Sequence, residues 1–334
     1  MKILVTGCAG YLGSHLCKKL IEEGHEITGM DILLYGEHSI SNLINNIRFT
    51  LIRGDIRDIN LLTNHIKGKD AVIHLASIVG AEASQLSPAN AMIINTLATL
   101  NIAYLCSMLN VKRFVFASTA SVYGSQGKNS AGLADERTEM IPIELYGQSK
   151  VKSEELIKDI FPDHTILRFG TLFGLSDRMR FDLVLNLFTA KAHNAEELTL
   201  YGGQQKRPLL HVKDAARAIS HVLNHEIYGV YNVAHDNYSI EEISNKVKEL
   251  IPCNVVHDEK AVDLRDYRIS TEKVKRTGFN TGYSLEDGIH EIIQALRSGL
   301  IIDYKDPIYS NHAMLLNDKE AQRKAFTQGA ITED

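Results

Sequence analysis

The stretch Lys2-Ile3-Leu4-Val5-Thr6-Gly7-Cys8-Ala9-Gly10-Tyr11-Leu12-Gly13 decides the fold. A short aliphatic run leads into three glycines at three-residue intervals, and a helical pattern over 11–23 follows. Glycines so placed permit a tight turn, close approach of backbone to a bound group, and close packing of helix on strand. The helix N-terminus behind them offers free N–H groups and the positive end of a dipole to an anion. A glycine triplet alone is weak, because glycine turns also occur in other α/β folds. Here a second strand candidate, 26–31, ends in Asp31, about 20 residues past the loop, where a carboxylate can accept both ribose hydroxyls of an adenosine. Gly7, Gly10, Tyr11, Leu12, Gly13 and Asp31 are therefore candidate dinucleotide ligands. No Arg or Lys directly follows Asp31, and its carboxylate would repel a 2′-phosphate, which favours NAD over NADP.

Outward from this unit, apolar strand candidates lie at 2–6, 26–31, 48–53, 71–75, 113–118 and 164–169. Helices are expected at 11–23, 59–66, 89–110 and 146–160. Continuous apolar strands alternating with helices predict an α/β, doubly wound parallel sheet of Rossmann type over residues 1–170, with ligands along the carboxyl edge of the strands. Beyond Arg168 the texture changes to helices at 181–193, 212–225, 240–250 and 285–297, joined by short strands and Gly- or Pro-marked turns. Residues 171–316 read as a smaller substrate lobe, with at least one segment returning to the main sheet, and 317–334 as a polar tail that frays. The segment 91–108 is apolar nearly all round, so it is covered on more than one side, by a second subunit or within the monomer. A homodimer through the 89–110 and 146–160 helices is expected.

The 334 residues are 44% hydrophobic and 23% charged, with a formal net charge of -5, which is ordinary globular composition. The interspersed charges offer no basic stripe for nucleic acid, and no apolar run reaches the roughly 20 residues that cross a bilayer. A strand beginning at residue 2 leaves no room for a signal peptide. Cys8, Cys17, Cys106 and Cys253 are scattered without C-x-x-C spacing, and the 14 histidines form no H-E-x-x-H, so neither disulfides nor a metal is expected. The expectation is a cytoplasmic protein.

Tyr146 and Lys150 stand four apart in Tyr146-Gly147-Gln148-Ser149-Lys150, on one face of a helix. A neighbouring ammonium favours the phenolate, which can then accept a proton from a hydroxyl as hydride leaves the same carbon. Such pairs mostly mark solvated helix faces. Here one accompanies Ser118-Thr119-Ala120-Ser121-Val122-Tyr123-Gly124 at the carboxyl end of a central strand, where the Thr119 hydroxyl is placed to hydrogen-bond a reacting oxygen.

Together these segments resemble the extended short-chain dehydrogenase/reductase family, in particular its NAD-dependent nucleotide-sugar epimerase and dehydratase members of the UDP-glucose 4-epimerase kind. The resemblance covers T-G-C-A-G-Y-L-G at 6–13, G-D-I-R-D at 54–58, H-L-A-S at 74–77, S-T-A-S-V-Y-G at 118–124, Y-G-Q-S-K at 146–150, R-F-G-T-L-F-G at 168–174, Y-G-G-Q-Q-K-R at 201–207, H-V-K-D at 211–214 and D-L-R-D-Y-R at 263–268. It implies Tyr146 as acid/base, Lys150 as its activator and a nicotinamide-ribose ligand, and Thr119 as hydroxyl partner. It further implies Asp55 and Ile56 at the adenine, and Leu75, Ala76 and Asn95 along the cofactor groove. Arg207, Arg265, Arg268 and Asn186 are the implied contacts to a nucleotide-diphosphate sugar. The 4,6-dehydratases carry Asp-Glu directly after the catalytic Thr, where this chain has Ala120-Ser121, so dehydration is not expected. A common Asn is replaced by Gly170, and the run 174–182 resembles members acting on modified hexoses or heptoses. The expected reaction is epimerisation by oxidation at C4 with return of hydride; one-way oxidation or reduction at C4 uses the same residues and is the alternative. A non-catalytic cofactor-binding regulator on this fold is the reading from another class.

Overall fold

The computed structural model describes residues 1–125, 132–258 and 263–327. Its centre is a seven-stranded sheet of β1 (Lys2–Thr6), β2 (Glu26–Asp31), β3 (Phe49–Arg53), β4 (Ala71–His74), β5 (Arg113–Thr119), β6 (His164–Phe169) and β7 (Gly229–Val233), in the spatial order β3-β2-β1-β4-β5-β6-β7. Every pairing is parallel. The order reverses between β1 and β4, so a crevice opens above their carboxyl ends. Strand β7 is the returning segment.

Period-2 alternation explains how the sheet buries both faces. Ile3 and Val5 point to one side, among Leu16 and Leu20 of α1 (Gly13–Glu22) and Ile219 and Val222 of a helix at Val212–Asn224. Leu4, Val72 and Phe114 point to the other, among Ile102 and Cys106 of the long helix Pro88–Met108 and Ile157 of α2 (Leu145–Ile160). Each such side chain stabilises the fold by about 1.5–3 kcal/mol through burial. The second lobe has its own core of Phe188, Leu200, Ile243 and Ile289.

Three expectations need correction. By length and apolar composition Pro88–Met108 could cross a bilayer, so a run that long does exist; half of its most apolar window is buried within the protein. Its exposed stripe is Ile93, Leu97, Tyr104 and Met108. The helix expected from 181 begins at α3 (Val184–His193), because Asp182 is drawn off to accept from the Asn311 N–H at 3.1 Å. The tail does not fray over 317–327: α4 (Asn311–Asn317) is followed by α5 (Lys319–Phe326), capped by Asp318. Leu315, Ala321 and Ala325 pack into the core beside Met30 and Ile56. The Arg57 guanidinium ties this segment down by donating to the carbonyls of Lys324 at 3.0 Å and Thr327 at 3.3 Å. The rest of the expected tail, 328–334, lies outside the described residues.

Candidate active site

The carboxyl edge of the sheet and the second lobe enclose one cleft of about 640 Å³. Gly7 turns at φ +76°, and a Cβ there would stand 2.8 Å from the Ala76 nitrogen, so only bare backbone fits between β1 and β4. Asp31, at the end of β2, accepts from the N–H of Ala9 at 2.9 Å and of Leu33 at 2.8 Å. It thereby pins the glycine turn. Burial pushes its carboxyl pKa up, against those two N–H groups and the nearby Arg178 guanidinium.

Gly7, Gly10, Tyr11, Leu12, Gly13, Asp31, Asp55, Ile56, Leu75 and Ala76 all line the cleft. Tyr11 also bolts the lobes together: its hydroxyl donates to the Gly174 carbonyl at 2.5 Å. Ala325 of α5 lies on the wall beside Asp55, Ile56 and Arg57, so the C-terminal helix covers that end. Asn95 is not among the lining residues. Its amide is spent on Ser77, both backbone groups of Ile78 and Ser149, and so joins the loop after β4 to α2.

Thr119, Tyr146 and Lys150 share the cleft wall with the glycine turn. Thr119 is the last residue of β5, and its hydroxyl oxygen accepts from the Ser121 N–H at 3.1 Å. Lys150 is 2% exposed; its Nζ lies 5.7 Å from the Tyr146 ring centroid and 4.6 Å from that of Phe116, and donates to the Ala117 carbonyl at 2.9 Å. Burial lowers its pKa to about 7, with the Glu154 carboxylate pulling the other way. In place of the expected depression, burial pushes the Tyr146 phenol's pKa up, only partly opposed by Arg180.

Beneath Lys150 is a buried network that the sequence did not announce. Glu154 accepts from the Ser118 hydroxyl at 2.6 Å and from Arg168 Nη2 at 2.7 Å, while Arg168 Nη1 donates to the Tyr123 hydroxyl at 2.7 Å. The spacing of Lys150 and Glu154, one helical turn, was the available signal. His74, between the hydroxyls of Thr6 at 2.7 Å and Thr99 at 2.9 Å, is driven down to about 3 by burial and stays neutral.

At the other end, Arg207 and Arg265 line the cleft and share Asp263, at 2.7 Å and 2.6 Å. Arg265 also reaches Glu144 at 3.2 Å. Burial pushes Asp263 up, and the two guanidiniums more than reverse this, holding it ionised. Arg268 does not line the cleft; its carbonyl accepts from the Ala134 N–H at 2.8 Å. Asn186 does not line it either. Its amide is fully buried and fixes the Gly174 N–H at 3.0 Å, the Tyr11 hydroxyl at 3.1 Å and the Arg180 carbonyl at 2.8 Å, which makes it a pin for the loop. Residues sequence reasoning passed over include Tyr35, Arg178, Arg180 and Tyr267, all on the cleft wall.

The chain is similar in sequence and fold to several known proteins. The Bacillus subtilis protein YtcB, described as an uncharacterized UDP-glucose epimerase, is 35% identical over 239 residues, 67% of this chain and 72% of its own. The UDP-glucose 4-epimerase of Thermotoga maritima, solved with UDP-glucose, matches with a TM-score of 0.78 at 26% identity, over 90% of this chain and 100% of that one. DesIV, a dTDP-glucose 4,6-dehydratase of Streptomyces venezuelae solved with NAD, matches with a TM-score of 0.81 at 25% identity, over 92% of this chain and 100% of that one. Residues 3–234 match the family described as NAD dependent epimerase/dehydratase. The chain belongs to that NAD-dependent family, on an extended short-chain dehydrogenase/reductase fold.

Proposed function

We propose that this chain is a nucleotide-sugar 4-epimerase that uses NAD, with Tyr146 as its acid and base. The observation that carries the reading is the gathering of Thr119, Tyr146 and Lys150 on the same wall as the glycine turn and Asp31. The bare backbone at Gly7, where a Cβ would strike Ala76, suits a diphosphate on the α1 N-terminus. Asp31 suits the adenosine ribose, and Asp55 with Ile56 the adenine. When bound, NAD supplies a hydride acceptor and, once reduced, a hydride donor.

The Tyr146 phenolate takes the proton of the sugar 4-hydroxyl as hydride leaves C4, and gives that proton back to the same oxygen when hydride returns to the opposite face of C4. Thr119 hydrogen-bonds the same oxygen. Lys150, whose pKa burial lowers to about 7, places positive charge beside the phenol below that pH, and the Arg180 guanidinium opposes the burial that raises the phenol's pKa. Arg207 and Arg265 offer planar forks to the substrate's diphosphate. Ala120 is buried and the Ser121 hydroxyl meets that of Tyr267 at 3.1 Å, so neither supplies the acid/base pair that elimination of water needs. Closure of the adenosine end by α5 favours a resident dinucleotide and return of hydride to the same sugar. The exposed stripe Ile93, Leu97, Tyr104 and Met108 is the proposed homodimer seam, together with α2.

The test is turnover of nucleotide-diphosphate hexoses deuterated at C4, followed by NMR and mass spectrometry. An epimer that keeps its deuterium supports the proposal. A released keto sugar with stoichiometric reduced cofactor assigns one-way oxidation instead.

A further inference from the structure

Arg178 lies between the strand Thr171–Phe173 and α3, on the wall of the cleft, and is only 2% exposed. Its guanidinium carbon stands 3.6 Å from the centroid of the Tyr35 ring, in cation–π contact. Its Nε and Nη2 have no hydrogen-bond partner among the described residues. Buried guanidinium donors without partners are costly, and native proteins normally satisfy them. The two nearby carboxylates accept from other groups. Asp31 accepts from Ala9 and Leu33, and Asp182 from Arg180 at 2.8 Å and 2.9 Å and from Asn311. Burial brings the Arg178 pKa down to about 10, so it keeps its charge at neutral pH.

The loop that carries Arg178 is fastened to the glycine turn. Ser176 donates to the Tyr11 carbonyl at 2.8 Å and meets the Ser14 hydroxyl at 3.3 Å, and Tyr11 in turn donates to Gly174. The unpaired donors are thus held in the same cavity as the N-terminus of α1.

We propose that Arg178 is a ligand of the dinucleotide's diphosphate, which it shares with the backbone N–H groups at the α1 N-terminus. The inference rests on the dinucleotide reading above. A diphosphate matches a planar two-donor fork. A 2′-phosphate would lie against the Asp31 carboxylate, and the substrate's own diphosphate already has Arg207 and Arg265. The second lobe thereby contributes a charge to the cofactor site.

The test is calorimetric titration of ligand-stripped wild type, Arg178→Gln and Arg178→Lys with NAD, ADP, adenosine, UDP and NADP, with melting temperatures of the ligand-free proteins. Arg178→Gln should weaken NAD and ADP by the same factor, roughly 10- to 100-fold, and leave adenosine unchanged. Arg178→Lys should recover part of the loss. The ligand-free Arg178→Gln should melt no lower than wild type, since it loses an uncompensated buried cation. Unchanged NAD and ADP affinity, a loss confined to NADP, or a loss confined to UDP would overturn the proposal while the dinucleotide reading stands. A wild type that binds neither NAD nor ADP removes the dinucleotide reading itself.

Discussion

Glu154→Gln tests whether the ion pair beneath Lys150 sets that lysine's charge. Glu154 is fully buried, and its carboxylate takes one bond from Ser118 and bidentate donation from Arg168, itself 1% exposed. The amide keeps the volume and some of these bonds but leaves the guanidinium without a counter-charge. Removing one partner of a buried pair costs about 3–5 kcal/mol, and the retained bonds place this variant near the lower figure. A fall in melting temperature of roughly 4–5 °C follows for a chain of this length. The second consequence is electrostatic. Burial holds Lys150 down to about 7 and Glu154 opposes it, so without the carboxylate the pKa falls further. The ammonium exists below that pKa and is lost as pH rises through it. The alkaline limb of kcat/KM therefore moves to lower pH, by on the order of one unit. Scanning fluorimetry and a pH profile with the hexose that wild type turns over provide the assay. A variant melting within about 2 °C of wild type, with its alkaline limb in place, would refute the reasoning.

Arg207→Ala should raise KM for the nucleotide-diphosphate sugar roughly 10- to 100-fold and leave bound NAD unchanged, as steady-state kinetics and cofactor content will show. Leu97→Asp, on the exposed apolar stripe, should convert a dimer to a monomer in light scattering; a wild type already monomeric contradicts the seam. Removal of residues 311–334 uncovers Ile56 and strips the Arg57 guanidinium of two carbonyl partners, so purified protein should lose NAD on dialysis at least tenfold faster than the full chain.

The sheet was legible because β1, β4 and β5 are continuous apolar runs, a signature that both faces are covered. Strand β7 was less so, because only its place beside β6 distinguishes Gly229–Val233 from any short apolar run. The composition of the C-terminal segment concealed its packing: Leu315, Ala321 and Ala325 are buried and the partly buried Met314 and Phe326 pack against the same core, while the polar remainder reads as tail. At the site, motifs located the residues that face the cleft, whereas Asn95 and Asn186 show their limit. Both amides are saturated by local backbone and hydroxyl groups, a fact about three-dimensional neighbours that no spacing encodes. Arg178 was hidden for the reverse reason. Its character comes from partners it lacks, and a sequence records only those present.

The most direct test of the account is absorbance at 340 nm after mixing NAD-loaded protein with a panel of nucleotide-diphosphate hexoses. Wild type should show reduced nicotinamide with at least one of them. Tyr146→Phe, with an equal load of NAD, should form it at least a hundredfold more slowly. Equal rates in the two proteins would contradict the account.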